Sequence, residues 1–138
     1  MIEIWQQQFL PTYTKNEGKI KVLNDADVPR PENFKPDSNC RSTVVFDPGE
    51  RAGDHYHQQR NELFVGIGAG MQLLAEDQAT KQGKIYTMNP VEGNGQLTVF
   101  YIPVGLPHAV RNIGPGIGFL IEFADHPQEK VDYRLSID

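Results

Sequence analysis

Between Arg41 and Phe123 the chain is a succession of apolar, β-branched or aromatic runs of strand length, closed one after another by glycine or proline. "RSTVVFD" stops at "PGE", "LTVFYI" at "PVG" and "PHAVRNI" at "GPG", while "MQLLAE" follows a Gly-Ala-Gly turn. "DHYH", "ELFVGI", "KIYTM" and "IGFLIEF" complete the series. A chain cut this often cannot sustain an amphipathic helix, and no segment keeps an apolar period of about 3.6 residues over three turns. Thirteen glycines and ten prolines in 138 residues fit the same picture. The pattern predicts an all-β barrel or sandwich of the jelly-roll type, built from about eight short strands. In the last run Ile117, Phe119, Ile121 and Phe123 share one face, the mark of a half-buried strand. The polar "HPQEKVDY" is the one helical candidate.

Ahead of the series, "IEIWQQQF" and "GKIKVLND" read as an N-terminal strand pair. The three prolines of "VPRPENFKPDSN", residues 28–39, read as an extended linker. One domain over 1–138 is expected, with strand pair and linker in 1–39, the body in 40–124 and a tail in 125–138. The net charge of −5, without a basic run, offers no footprint for nucleic acid or an anionic membrane. No apolar run approaches the roughly 20 residues that span a bilayer. Cys40 is the single cysteine, which excludes an internal disulfide and fits a reducing compartment. With no secretory signature at the N-terminus, a soluble cytoplasmic protein is expected.

The chemistry concentrates in "GERAGDHYHQQRNELF". His55 and His57, two apart on a strand, point to one face. If "QQRN" is a tight hairpin, Glu62 begins the returning strand beside His57. Two imidazoles and a carboxylate on β-structure suit iron, manganese, nickel or zinc. His108, after the turn in "PVGLPHAVRN", is a natural fourth donor. Arg51 and Arg60 are candidate clamps for an anionic substrate, and Phe64 is a candidate pocket wall. Arg111 falls on the face opposite His108. Tyr86 and Tyr101 are chemically suited to act as acids. His126 reads as a turn histidine, and Asn112 as a partner for turn backbone.

These two segments resemble the paired motifs of the cupin superfamily. Gly49, five residues, His55-Tyr56-His57, four residues and Glu62 follow the first motif, with Gly68 and Gly70 bracketing its closing glycine. Pro103, Gly105, His108 and Asn112 follow the second, whose opening glycine is displaced to Gly95. The resemblance covers residues 40–124 and implies a double-stranded β-helix barrel holding one divalent metal ion (zinc, iron, nickel or manganese). It implies His55, His57, Glu62 and His108 as the ligands.

The chain is similar in particular to small cupins of deoxysugar and capsular-polysaccharide pathways, including the dTDP-4-dehydrorhamnose 3,5-epimerase-like group. The tail Asp132-Tyr133-Arg134-Leu135 adds to that likeness. The resemblance implies epimerase or isomerase chemistry on a sugar or sugar nucleotide, by proton transfer next to a carbonyl. In the rhamnose-pathway enzymes a histidine serves as base without metal. Here the full ligand set is present, and a histidine bound to metal cannot also be the free base. The same donor set suits a non-haem dioxygenase acting on a small organic substrate, and the fold also suits a non-catalytic small-molecule binder. The N-terminal strand pair is well placed to meet a second subunit in a homodimer.

Overall fold

The computed structural model describes residues 2–89 and 95–138. Twelve strands and two short 3₁₀ turns account for its regular structure, with no α-helix among the described residues. The strands are β1 (Gln6–Phe9), β2 (Tyr13–Lys15), β3 (Ile20–Val22), β4 (Ser42–Phe46), β5 (Arg51–Tyr56) and β6 (Glu62–Ile67). They continue as β7 (Met71–Glu76), β8 (Gly83–Thr87), β9 (Leu97–Ile102), β10 (His108–Asn112), β11 (Gly118–Ala124) and β12 (Val131–Asp132). Two five-stranded sheets face each other, ordered β1-β9-β6-β11-β4 and β12-β5-β10-β7-β8, and β2-β3 forms a separate hairpin. Every pairing is antiparallel, as a jelly-roll requires. Among the described residues, no helix is long and apolar enough to cross a membrane.

The core between the sheets takes Phe46, Phe64, Phe100, Ile102 and Leu120 from the first sheet, and Met71, Leu73, Tyr86 and Val110 from the second. Each sheet is also covered on its back. Val28 and Phe34, from the proline-rich segment, pack with Phe9, Leu63, Val65 and Phe123 behind the first sheet. That segment therefore anchors as well as connects. Leu135, with Tyr133 and Ile137, covers Leu74 and Ala109 behind the second sheet. This double covering explains why strands such as β6 and β7 are apolar on both faces.

Four sequence expectations need correction. "IEIWQQQF" and "GKIKVLND" do not form a strand pair: β1 joins β9 in the first sheet, and β3 pairs with β2 from the segment between them. "QQRN" does not close a hairpin: β5 pairs with β10 and β12, whereas β6 pairs with β9 and β11. It is a corner that carries the chain from one sheet to the other. "HPQEKVDY" is not helical, because its backbone runs along β5 as β12. In β11 the row Ile117, Phe119, Ile121, Phe123 faces away from the barrel, with Ile117 56% and Phe119 40% exposed. Leu120 points inward, and Glu122 shares its face. The apolar row was misleading because Phe123 and Ile121 serve the second core, against the N-terminal segment.

One irregularity in β5 aims the histidines. The register with β10 slips between His108 and Ala109, so that His108 faces His55 and Ala109 faces Gly53. Asp54 is left as the extra residue of a bulge, with positive φ at both Gly53 (110°) and Asp54 (56°). The slip breaks strict alternation: Ala52 and His55 both line the interior, while Arg51 and Asp54 pair outside. Residue 53 must be glycine here, since a Cβ would lie 2.8 Å from Ala109 Cα and from the His108 carbonyl.

Candidate metal centre and its cavity

His55 is the penultimate residue of β5, His57 lies just past the strand, His108 begins β10 and Glu62 begins β6 on the facing sheet. Nitrogen atoms of the three imidazoles lie within 4.8 Å of one another. Glu62 Oε1 stands 3.0 Å from His57 Nε2 and 3.4 Å from His108 Nε2. His57, Glu62 and His108 are buried and His55 is partly so. The structure thus gathers the four residues that the motifs single out, although the corner does the work expected of a hairpin.

The outer nitrogens are held by backbone. His57 Nδ1 bonds the Glu129 carbonyl, and His108 Nδ1 bonds the Leu106 carbonyl at 2.8 Å. Contacts of this kind fix ring orientation and turn Nε2 towards the cluster, as second-layer partners do at metal sites. Of the converging atoms, His55 Nδ1 is buried without a partner, and His57 Nε2 and Glu62 Oε1 are buried with nothing to meet except each other and His108. Buried polar atoms are nearly always partnered, so orphans facing one point mark a place for a ligand. Three nitrogens and a carboxylate oxygen are the donors that a divalent transition ion takes. The residues present fit the group.

Electrostatics divide the cluster, favouring a free lone pair on His55 and a proton on His57. Burial, then the neighbouring His108 and His57, push His55 down to about 4, so it offers a lone pair at neutral pH. Burial opposes the charge of Glu62, but hydrogen bonds and charge from His108 and His57 outweigh it and hold the carboxyl below its usual range. Burial likewise opposes protonation of His57, and Glu62 overrides it to raise that histidine.

The cluster opens on a cavity of about 130 Å³, lined by His55, Glu62, Phe64, His108, Glu122 and Gln128, with Leu120 and Val110 beneath. Phe64 lies edge-on to His108, with ring centroids 5.6 Å apart. Arg60 does not line the cavity. It is buried behind it, with Nε 2.9 Å from Glu62 Oε2, Nη1 3.0 Å from the His126 carbonyl and Nη2 3.7 Å from Glu122. Arg51 lies outside the barrel, paired with Asp54 at 2.8 Å and Asp138 at 3.3 Å, because the bulge turned its face outward. Arg111 is also outside, on Gln72 and Asp138. Tyr86 packs against Phe100 in the core, and Tyr101 against Phe34 behind the first sheet; neither lines the cavity. His126 is exposed, and Asn112 bonds the Phe46 and Gly116 carbonyls.

Two residues of the site escape the sequence reading. Glu122 lines the cavity from β11. Burial, then the charge of Glu62, raises its carboxyl to about 7. A glutamate inside "IGFLIEF", apolar on both sides, is the signal that marks it. Glu129 supports the site from the tail: its carboxylate accepts the backbone N–H groups of Gln58, Gln59 and Arg60, which shapes the corner.

No family model matches the sequence, and no curated protein matches it. Solved structures do match. A dTDP sugar isomerase from Desulfovibrio desulfuricans superposes over 96% of this chain and 85% of its own, with TM-score 0.71 and 14% identity. QdtA, a sugar 3,4-ketoisomerase from Thermoanaerobacterium thermosaccharolyticum in complex with TDP, covers 90% and 82%, with TM-score 0.57 and 11% identity. CapF, a capsular polysaccharide assembling protein from Staphylococcus aureus, matches 81% of this chain with TM-score 0.61 and 20% identity. This chain spans 35% of that CapF structure, about a third of its length. Identities this low show the fold alone, a cupin-type barrel that this chain shares with these sugar isomerases.

Proposed function

We propose that this cupin is a metal-dependent isomerase or epimerase acting on a keto-sugar carried by a nucleotide. The observation that supports it best is the set of buried donors converging at the wall of a cavity whose remaining lining is apolar except for Glu122 and Gln128. His55, His57, His108 and Glu62 would hold one divalent ion. Such an ion supplies a Lewis acid that polarises a substrate carbonyl and makes the neighbouring C–H acidic. The protein's own part is to exclude water with Phe64, Leu120 and Val110, and to keep His57 and His108 pinned through Glu129 and Leu106.

Size bears on the substrate. The cavity of about 130 Å³ lies well under the roughly 300–1,000 Å³ of a site that swallows a whole ligand. Only the reacting end of a sugar nucleotide enters it; the nucleotide lies across the mouth. The names of the structural relatives, dTDP-sugar and TDP-sugar enzymes, support that class. The exposed hairpin β2-β3, with Tyr13 and Ile20 each about half exposed, supports a homodimer in which it meets a second copy.

The test is metal content by mass spectrometry on protein purified without chelator, beside His57→Ala. Stoichiometric zinc, nickel or manganese, lost in the variant, is the expected result; keto-sugar nucleotides are then screened by NMR. Stoichiometric iron with oxygen uptake would replace this reading with a dioxygenase. No metal in the wild type, even after reconstitution, would sink it.

A further inference from the structure

Chemistry next to a carbonyl needs a group that takes up a proton and gives it back. Among the described residues lining the cavity, the titratable ones are His55, Glu62, His108 and Glu122. The first three turn towards one another in the donor cluster. Glu122 is not one of those converging donors; it lies on β11, beside Phe64 of β6 and Ser42 of β4. Its side chain is 18% exposed and its polar neighbour is Arg60, 3.7 Å away. Arg60 is itself locked on Glu62 and the His126 carbonyl. Glu122 is therefore held in place by a fixed cation while its carboxylate remains open to the cavity.

We propose that Glu122 is the catalytic base, and that it serves a one-sided proton shift between adjacent carbons, a keto–hydroxy isomerisation. The proposal rests on the reading above and narrows it. The carboxylate takes the proton from the carbinol carbon beside the carbonyl. The C–H electron pair becomes a C=C bond, and the carbonyl π pair moves to its oxygen, giving an enediolate. The hydroxyl proton passes between the two neighbouring oxygens, and Glu122 returns its proton to the former carbonyl carbon. Atoms and electrons balance with no oxidant or reductant. Inverting a carbon would need a second acid on the opposite face of the sugar. The remaining lining residues, Phe64, Leu120, Val110 and Gln128 among them, supply none, and Tyr86 and Tyr101 do not reach the cavity.

The experiment uses the metal-loaded full chain, wild type beside Glu122→Gln and Glu122→Asp. In one arm dTDP-4-keto-6-deoxyglucose is followed by NMR in D₂O. The wild type exchanges the proton next to the carbonyl and forms the 3-keto isomer. Glu122→Gln slows both by about 10²–10⁴-fold with metal content unchanged, and Glu122→Asp recovers part of the rate. Exchange by Glu122→Gln at the wild-type rate overturns the base assignment. A C3-inverted product from the wild type overturns the one-sided shift.

The second arm needs no turnover. Acetohydroxamic acid, an enediolate mimic, is titrated by calorimetry in two buffers of different ionisation enthalpy. At pH 8.5, where the free Glu122 carboxyl is ionised, Glu122→Gln should release up to one more proton per site to the buffer than the wild type, whose Glu122 takes it up. Equal counts overturn the base assignment. If the wild type ignores the sugar yet the proton counts differ, the substrate class fails and Glu122 stands.

Discussion

Gly53 shows how much a single residue can decide in this site. The bulge it permits turns His55 inward and Arg51 outward, so the donor cluster depends on a residue with no side chain. Gly53→Ala should cost about 1–3 kcal/mol through strain at positive φ, plus the clash with β10. The expected outcome is a lowered denaturation midpoint together with loss of bound metal, read by denaturant titration and mass spectrometry. A residue-scale reading of the sequence reached His55, His57, Glu62 and His108, because motif spacing names them whatever the intervening loop does. It missed Glu122, because the apolar row on the other face of β11 packs a second core and looks like the primary one. It also offered Arg51 and Arg60 to the substrate; the bulge and the buried carboxylates respectively claim them.

Elements add what motifs do not encode. The tail from Asp125 onward looks polar and dispensable, yet it shapes the corner between β5 and β6 and seals the back of the second sheet. Glu129→Ala removes the acceptor for three corner N–H groups and should weaken metal binding about 10–100-fold, as loss of second-layer support does. A competition assay with a chromogenic chelator measures that.

Glu76 anchors the tail further along. It is fully buried and accepts from Tyr133 Oη at 2.7 Å, Ser136 N at 2.7 Å and Ile137 N at 3.3 Å. Burial pushes its carboxyl up, but these bonds together hold it below the ordinary range. Its contribution to stability is thus complete above the unfolded pKa and lost as pH falls through the folded one. The tail amides of Ser136 and Ile137 should lose hydrogen-exchange protection below about pH 4, ahead of the barrel strands. In Glu76→Gln that loss should no longer follow pH. None of this was legible in the sequence, since each contact joins residues more than fifty positions apart.

For the whole molecule, the turn-punctuated runs were enough to give an all-β barrel, because strand length and turn chemistry are local properties. Which strands share a sheet was not local, and the pairing of β5 with β10 and β12 came only from the structure. The exposed faces bear on assembly. Val45, Phe119 and Ile67 lie side by side across β4, β11 and β6, each of them exposed. Light scattering should report twice the 15.5 kDa chain mass. Ile20→Lys on the hairpin should shift the protein to monomer without changing its metal content.

The order of the chain gives the support from Glu129 a consequence during biosynthesis. A ribosome finishes His55, His57, Glu62 and His108 before it reaches Glu129. All four candidate ligands are thus polymerised while His57 still lacks the carbonyl that steadies its ring. On the proposed reading, tight loading with metal would wait until the tail has docked, favouring the finished protein over its nascent form in any competition for ions.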